Sequence, residues 1–118
     1  MKNYEVWNLY TRLAALRECD KEFSPKVNDA RFKNMRLLKP YADAYADAQN
    51  EIVKKYGESA GDGSYKINPE KLEEYSTELE ELNGIENDIT LVRFPADELN
   101  SINLRTAEYE TLAELFED

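Results

Sequence analysis

Residues 24–56 read SPKVNDARFKNMRLLKPYADAYADAQNEIVKKY, and this run decides the fold. It opens on Ser24-Pro25, a pair that starts helices, and stops at Tyr56-Gly57, a pair that ends them. Between the two, Leu38, Ala42, Tyr45, Gln49, Ile52 and Tyr56 recur at alternating spacings of four and three. That is the seam of a helix that lies along another helix. Pro40 interrupts the run. It lacks a backbone donor and presses on the preceding turn, so the helix either kinks there or breaks at Leu38-Lys39. Arg31, Met35 and Leu38 continue in phase with Ala42 and Tyr45, which favours the kink.

Working outward, Val6, Leu9, Tyr10, Leu13 and Leu16 trace one apolar face of a helix over about 4–19, with Asn3 as its N-cap. Phe23 stands before Ser24 where a hydrophobic staple belongs. On the other side, residues 57–68 hold Gly57, Gly61 and Gly63, and read as a turn-rich loop with a short strand over about 64–67. Asn68-Pro69-Glu70 opens a helix over 69–83, whose stripe is Leu72, Tyr75, Leu79 and Leu82, closed by Asn83-Gly84. Residues 88–94, Asp-Ile-Thr-Leu-Val-Arg-Phe, are rich in β-branched side chains and predict a second strand, paired with 64–67 or, failing that, with a second copy or another protein's sheet edge. Thr106 then caps a last helix over 107–117, packing through Tyr109, Leu112, Ala113 and Phe116. The expected fold is mainly α (α+β): one domain over 1–118, an antiparallel helical hairpin or bundle of about four helices with a small two-stranded β element.

Bulk properties bound the function. The chain has 118 residues, 42% of them hydrophobic and 34% charged, and a formal net charge of -10. The charge is split: residues 1–56 carry 11 Lys and Arg against 8 Asp and Glu, and residues 57–118 carry 4 against 17. An acidic chain is a poor direct binder of nucleic acid. No apolar run reaches the length of a membrane span, and residues 1–5 lack the apolar core of a signal peptide, so an intracellular site is expected. Cys19 is the only cysteine, which rules out an intrachain disulfide.

There is no histidine. That removes Ser-His-Asp and Cys-His nucleophile pairs and the commonest transition-metal ligand. The chain has neither a glycine-rich phosphate loop nor a nucleophile elbow. Asp62-Gly63 resembles the middle of a calcium loop, but the first, third and twelfth ligand positions would fall on Glu58, Ala60 and Pro69. Asp43 with Asp47, Glu70 with Glu74, and Glu74 with Glu78 stand one turn apart, a spacing that metal-bridging carboxylates share with solvated helix faces. Cys19 reads as a packing residue. The expectation is a protein that is no enzyme and holds no metal or cofactor. The candidate contact residues are Glu73, Glu74, Glu78, Glu80 and Glu81, flanked by Glu86 and Asp88, together with Tyr41 and Tyr65, which stand off the helical seams. Lys26, Arg31, Lys33, Arg36 and Lys39 form a basic stripe that either pairs with the acidic helices downstream or docks an acidic partner.

The succession of these segments resembles a family of small proteins of unknown function encoded by tailed phages and prophages of Gram-positive bacteria. The resemblance rests on Asn3 to Tyr10 with Leu13 and Leu16, Lys54 to Glu58, Gly61 to Ile67, Leu72 to Tyr75, Glu78 to Leu82, Ile89 to Phe94 and Thr106 to Leu112. It implies viral origin and action in the host bacterial cytoplasm or the assembling virion, and brings no catalytic residue with it. Two functions follow as expectations. The first is a protein that binds and modulates a host protein, such as a defence or replication factor, through an acidic helical surface that imitates a phosphate track. The second is an accessory factor of phage head or tail assembly that works as an oligomer.

Overall fold

The computed structural model describes residues 1–118, and the chain is mainly helical with one small antiparallel sheet. Helix α1 spans Asn3–Ala15 and continues into a 3-10 turn, Leu16–Glu18. Helix α2 spans Pro25–Tyr56, strands β1 and β2 span Gly57–Ser59 and Tyr65–Ile67, α3 spans Leu72–Asn83 after a 3-10 turn at Pro69–Lys71, and α4 spans Thr106–Ala113. No helix is long and apolar enough to cross a membrane.

Local signals place α2. The Ser24 hydroxyl accepts from the Val27 N–H at 3.4 Å, and Pro25 occupies the first helical position, where its missing donor costs nothing. The helix runs unbroken through Pro40. Pro40 is exposed, so the Arg36 carbonyl that it cannot serve faces the solvent side, and the buried seam is untouched. Arg31, Met35, Leu38, Ala42 and Tyr45 are all buried.

The interior lies at one end of the molecule. Val6, Leu9 and Leu13 of α1 and Leu16 of the 3-10 turn after it meet Val27, Ala30, Met35 and Leu38 of α2, and Phe94, Leu99, Leu112 and Leu115 close the other side. From Ala46 to Arg93 no residue is buried. That stretch forms an arm: the second half of α2, the β1–β2 hairpin and α3 packed back along α2. The radius of gyration is 17.6 Å and the extents are 54 × 31 × 21 Å. A compact chain of this length would give about 13.5 Å.

Expectations about one strand, one helix end and two caps need correction. Residues 88–94 form no strand and do not pair with 64–67; β2 instead pairs with β1, Gly57 opposite Ile67 and Ser59 opposite Tyr65. The backbone of 88–94 is satisfied otherwise. The fully buried Asn34 side chain of α2 donates to the Val92 carbonyl and accepts from the Val92 N–H, both at 2.8 Å. Two residues on, the Phe94 N–H donates to the Leu115 carbonyl at 3.0 Å and its carbonyl accepts from the Glu117 N–H at 2.9 Å. A carboxamide carries one donor side and one acceptor, so it can stand in for a neighbouring strand at a single residue.

Engagement with Phe94 also ends α4 early, at Ala113 and not at 117. Residues that pair in extended fashion with Phe94 cannot continue a helix. Arg105, not Thr106, holds the N-cap position of α4, where its N–H donates to the Glu108 carboxylate at 2.9 Å. Lys2 likewise replaces Asn3 as the N-cap of α1. Asn3 is the first helical residue and is buried: its Nδ2 donates to the Leu82 carbonyl at 2.8 Å and its Oδ1 accepts from Asn87 at 2.8 Å. It ties the end of α3 to the start of the chain.

Candidate functional site

The arm carries most of the acidic residues singled out above. Asn68 caps its return helix, accepting from the Glu70 N–H at 3.0 Å, and Gly84 ends it, its N–H donating to the Glu80 carbonyl at 3.0 Å. The inward stripe of Tyr75, Leu79 and Leu82 lies against α2 and is only half-buried. Tyr56 and Tyr75 meet edge to face at 6.4 Å. At the base of the arm the Tyr45 hydroxyl donates to Asn83 Oδ1 at 2.6 Å, and Trp7 packs on the Tyr45 ring at 5.8 Å. Burial pushes the Tyr45 hydroxyl pKa up.

Glu73, Glu74, Glu80 and Glu81 are exposed on α3, and none has a cation within ion-pair distance. Glu78 differs from them. Its carboxylate accepts from Lys55 Nζ at 2.6 Å, across the α2–α3 interface, and that hydrogen bond holds its pKa below the ordinary carboxylate range. Glu78 is therefore part of the arm's own construction. Glu86 contacts the terminal ammonium of Met1 at 3.4 Å, and Asp88 is exposed. Between Ala46 and Asn83 the arm holds four Lys against ten Asp and Glu, a net of -6. Tyr65, 42% exposed, stands on β2 at the tip of this arm, whereas Tyr41, 36% exposed, stands on α2 beside the core. Sixteen residues of helix from Tyr41 to Gly57 set the two about 24 Å apart along the axis, so they belong to different surfaces.

The basic stripe of α2 does not answer α3. Lys33 pairs with Asp29 at 3.0 Å and Lys39 with Asp43 at 2.7 Å, both on their own helix, and Lys26 reaches Glu98 at 3.8 Å. Arg31 is buried with its guanidinium 4.8 Å from the centre of the Phe23 ring and 5.1 Å from that of Phe32, and desolvation lowers its pKa. Arg36 is exposed and unpaired.

A concave region of about 540 Å³ lies between α1 and α4, where Cys19, Arg12, Glu108 and Thr111 come together. Spacing in the sequence could not bring these residues together, since Cys19 and Glu108 are 89 positions apart. Burial pushes the Cys19 thiol up, and the neighbouring Glu108 carboxylate pushes it further; the same proximity holds the Glu108 carboxylate down. A thiol raised in this way holds little thiolate near neutrality and is no activated nucleophile. Arg12 is engaged with Thr111 and with Glu114, each at 3.2 Å. No three His, Cys, Asp or Glu side chains come together as a metal-holding group. The calcium-loop resemblance also has a local account: Asp62 accepts from the N–H and hydroxyl of Ser64, at 3.1 and 2.5 Å, inside a turn where Gly61 and Gly63 take φ of 85° and 88°.

Comparison of the chain with protein-family models, with curated proteins and with solved structures finds no match to any of them.

Proposed function

We propose that this chain is a non-enzymatic, phage-encoded binding protein that attaches through its acidic arm to a basic groove on a host protein and modulates that protein's activity. The observation that carries this reading is the set of four exposed carboxylates on α3 that no cation of the chain neutralises, displayed on an arm that projects from the core. The Tyr56–Tyr75 contact and the Lys55–Glu78 pair hold α3 along α2, so its outer charges are displayed together on one helix, and a row of carboxylates is complementary to a groove that normally takes a phosphate backbone. The partner class is therefore a nucleic-acid-handling protein, such as a replication or defence factor. Viral origin and action in the host cytoplasm rest on the resemblance set out above.

The test is retention of Gram-positive cell proteins on the tagged chain, with elution by salt and by double-stranded DNA as competitor. Nucleic-acid-handling proteins that are eluted by both, and that E73K/E74K/E80K/E81K no longer retains, support the reading. Equal retention by that variant sinks it. Glu78 is left intact because its reversal would break the Lys55 pair and loosen the arm itself. The other reading, an assembly factor acting as an oligomer, is favoured by the half-covered apolar stripe of the arm, but like charge opposes pairing arm against arm.

A further inference from the structure

A groove of about 260 Å³ runs along the seam of α1 and α2, on a surface the arm does not use. Tyr10, Phe32 and Met35 form its apolar part; Arg17, Arg36 and Lys39 form its rim, and no carboxylate lines it. Phe32 is 42% exposed, with the buried Arg31 guanidinium 5.1 Å from its ring centre. Arg17 and Arg36 enter no ion pair, and Lys39 pairs only with Asp43 of its own helix. On a chain of net charge -10 this is a concave surface of the opposite sign. Its complement is an acidic ridge with an apolar side chain beside it.

The same chain presents such a ridge. Glu73 and Glu80 are seven residues apart on α3, so they fall within about 20° of one line along the helix, two turns apart. Leu72, expected in the inward stripe of α3, is instead 52% exposed and stands next to Glu73, about 100° round the helix from it. We propose that the α1–α2 groove receives α3 of a second copy, with Leu72 against Phe32 and Tyr10, and with Glu73 and Glu80 against Arg17 and Arg36. Ridge and groove are different surfaces, so the contact is heterologous: each copy gives one half and receives the other, and copies add head to tail into open chains or a closed ring. The repulsion between two acidic copies acts over long range and is screened beyond about 8 Å at roughly 0.15 M salt, while pairs in contact keep more of their attraction. Association therefore rises from very low to moderate salt and falls again at high salt. Because the ridge is also the proposed host-binding face, assembly and partner binding compete for it.

The experiment is sedimentation equilibrium of the whole chain at several salt concentrations, up to about 1 mM protein, the weak end of measurable association. The wild type is expected to exceed its 13.7 kDa chain mass as concentration rises. R17E/R36E, which loses the groove, and E73K/E80K, which loses the ridge, are each expected to remain at the mass of one chain, with circular dichroism confirming that they fold. R17Q/R36Q replaces the first variant if charge reversal unfolds it. An equimolar mixture of the neutral forms R17Q/R36Q and E73Q/E80Q should then recover association and stop at two chains, because only one complementary half survives on each, whereas charge-reversed halves would also attract each other. A monomeric wild type overturns the proposal and leaves the groove to a foreign acidic ligand. Wild-type assembly that survives either variant, or a mixture that fails to pair, overturns it as well. R17E/R36E keeps the arm intact, so its retention of host proteins reads the proposed function separately from the assembly.

Discussion

The two halves of α2 carry the same seam pattern and have different surroundings. In the first half, α1 and the segment from Phe94 to Leu115 cover the helix from two directions, and Leu38 and Ala42 lose all contact with water. In the second half, α3 is the main cover, and Gln49, Ile52 and Tyr56 keep part of their surface wet at the same spacing. Period places side chains on one face of a helix; the number of neighbouring elements decides how much of that face is covered. The half with an interior should hold most of the stability, and the half without one should open at lower cost.

The largest effects belong to the core half. Leu38→Ala should cost about 2–5 kcal/mol, the range for emptying a well-packed site. Asn34→Ala should cost about 2–4 kcal/mol, because it leaves both the N–H and the carbonyl of Val92 without a partner. Leu79→Ala, at a half-buried position in the arm, should cost about 1 kcal/mol. Urea denaturation of the three variants measures the gap, and equal losses at Leu38 and Leu79 would erase the distinction between the halves.

Intermediate in size is the tie between the halves. Asn3→Ala removes the donor to Leu82 and should cost about 1–2 kcal/mol. Native-state hydrogen exchange should show amides near the end of α3 losing more protection than those of α1. A uniform loss would mean that Asn3 supports the core alone.

The smallest effect is electrostatic. The Lys55 hydrogen bond lowers the Glu78 pKa from its ordinary value near 4.5, so the contribution of this pair is present above that value and fades as pH falls through the lowered one. Acid should therefore loosen the packing of Tyr56 on Tyr75 slightly, and less in Lys55→Gln, which has already lost the pair. NMR shifts of the two rings across pH 6 to roughly pH 3 would follow it. The pair is exposed, so the change is expected to be minor.

Helix starts and stops were legible wherever a local group makes them. Ser24-Pro25 and Asn68-Pro69 act on backbone atoms within about four residues, and they act in the folded chain as their identities imply, whereas Gly84 ends α3 at a φ of -88° without the left-handed turn that glycine permits. Asn3 shows the limit, since asparagine commonly caps a helix and here caps the far end of another one. The segment 88–94 shows it again. Its β-branched residues favour extended backbone, but propensity names no partner, and the partner is an asparagine side chain 58 residues earlier. One signal was available: Asn34 stands four residues before Leu38, on the buried face, and a polar residue in phase with a buried seam must find a hydrogen bond. Of the candidate contact residues, the exposure of Glu73, Glu74, Glu80 and Glu81 follows from helical period alone. The engagement of Glu78 and the separation of Tyr41 from Tyr65 do not. Nor does the groove of Tyr10, Arg17, Phe32 and Arg36, which exists only because α1 lies along α2.

The sequence by itself determined the class of fold, the places where α2 begins and ends and where α3 ends, and the acidity of α3, because capping, period and composition act within a few residues. Tertiary structure alone decided which half of the long seam acquired an interior, what satisfies the backbone of Val92 and Phe94, and where the cationic groove opens. Burial and hydrogen-bond satisfaction depend on groups far apart along the chain, and no local pattern encodes which of them will meet.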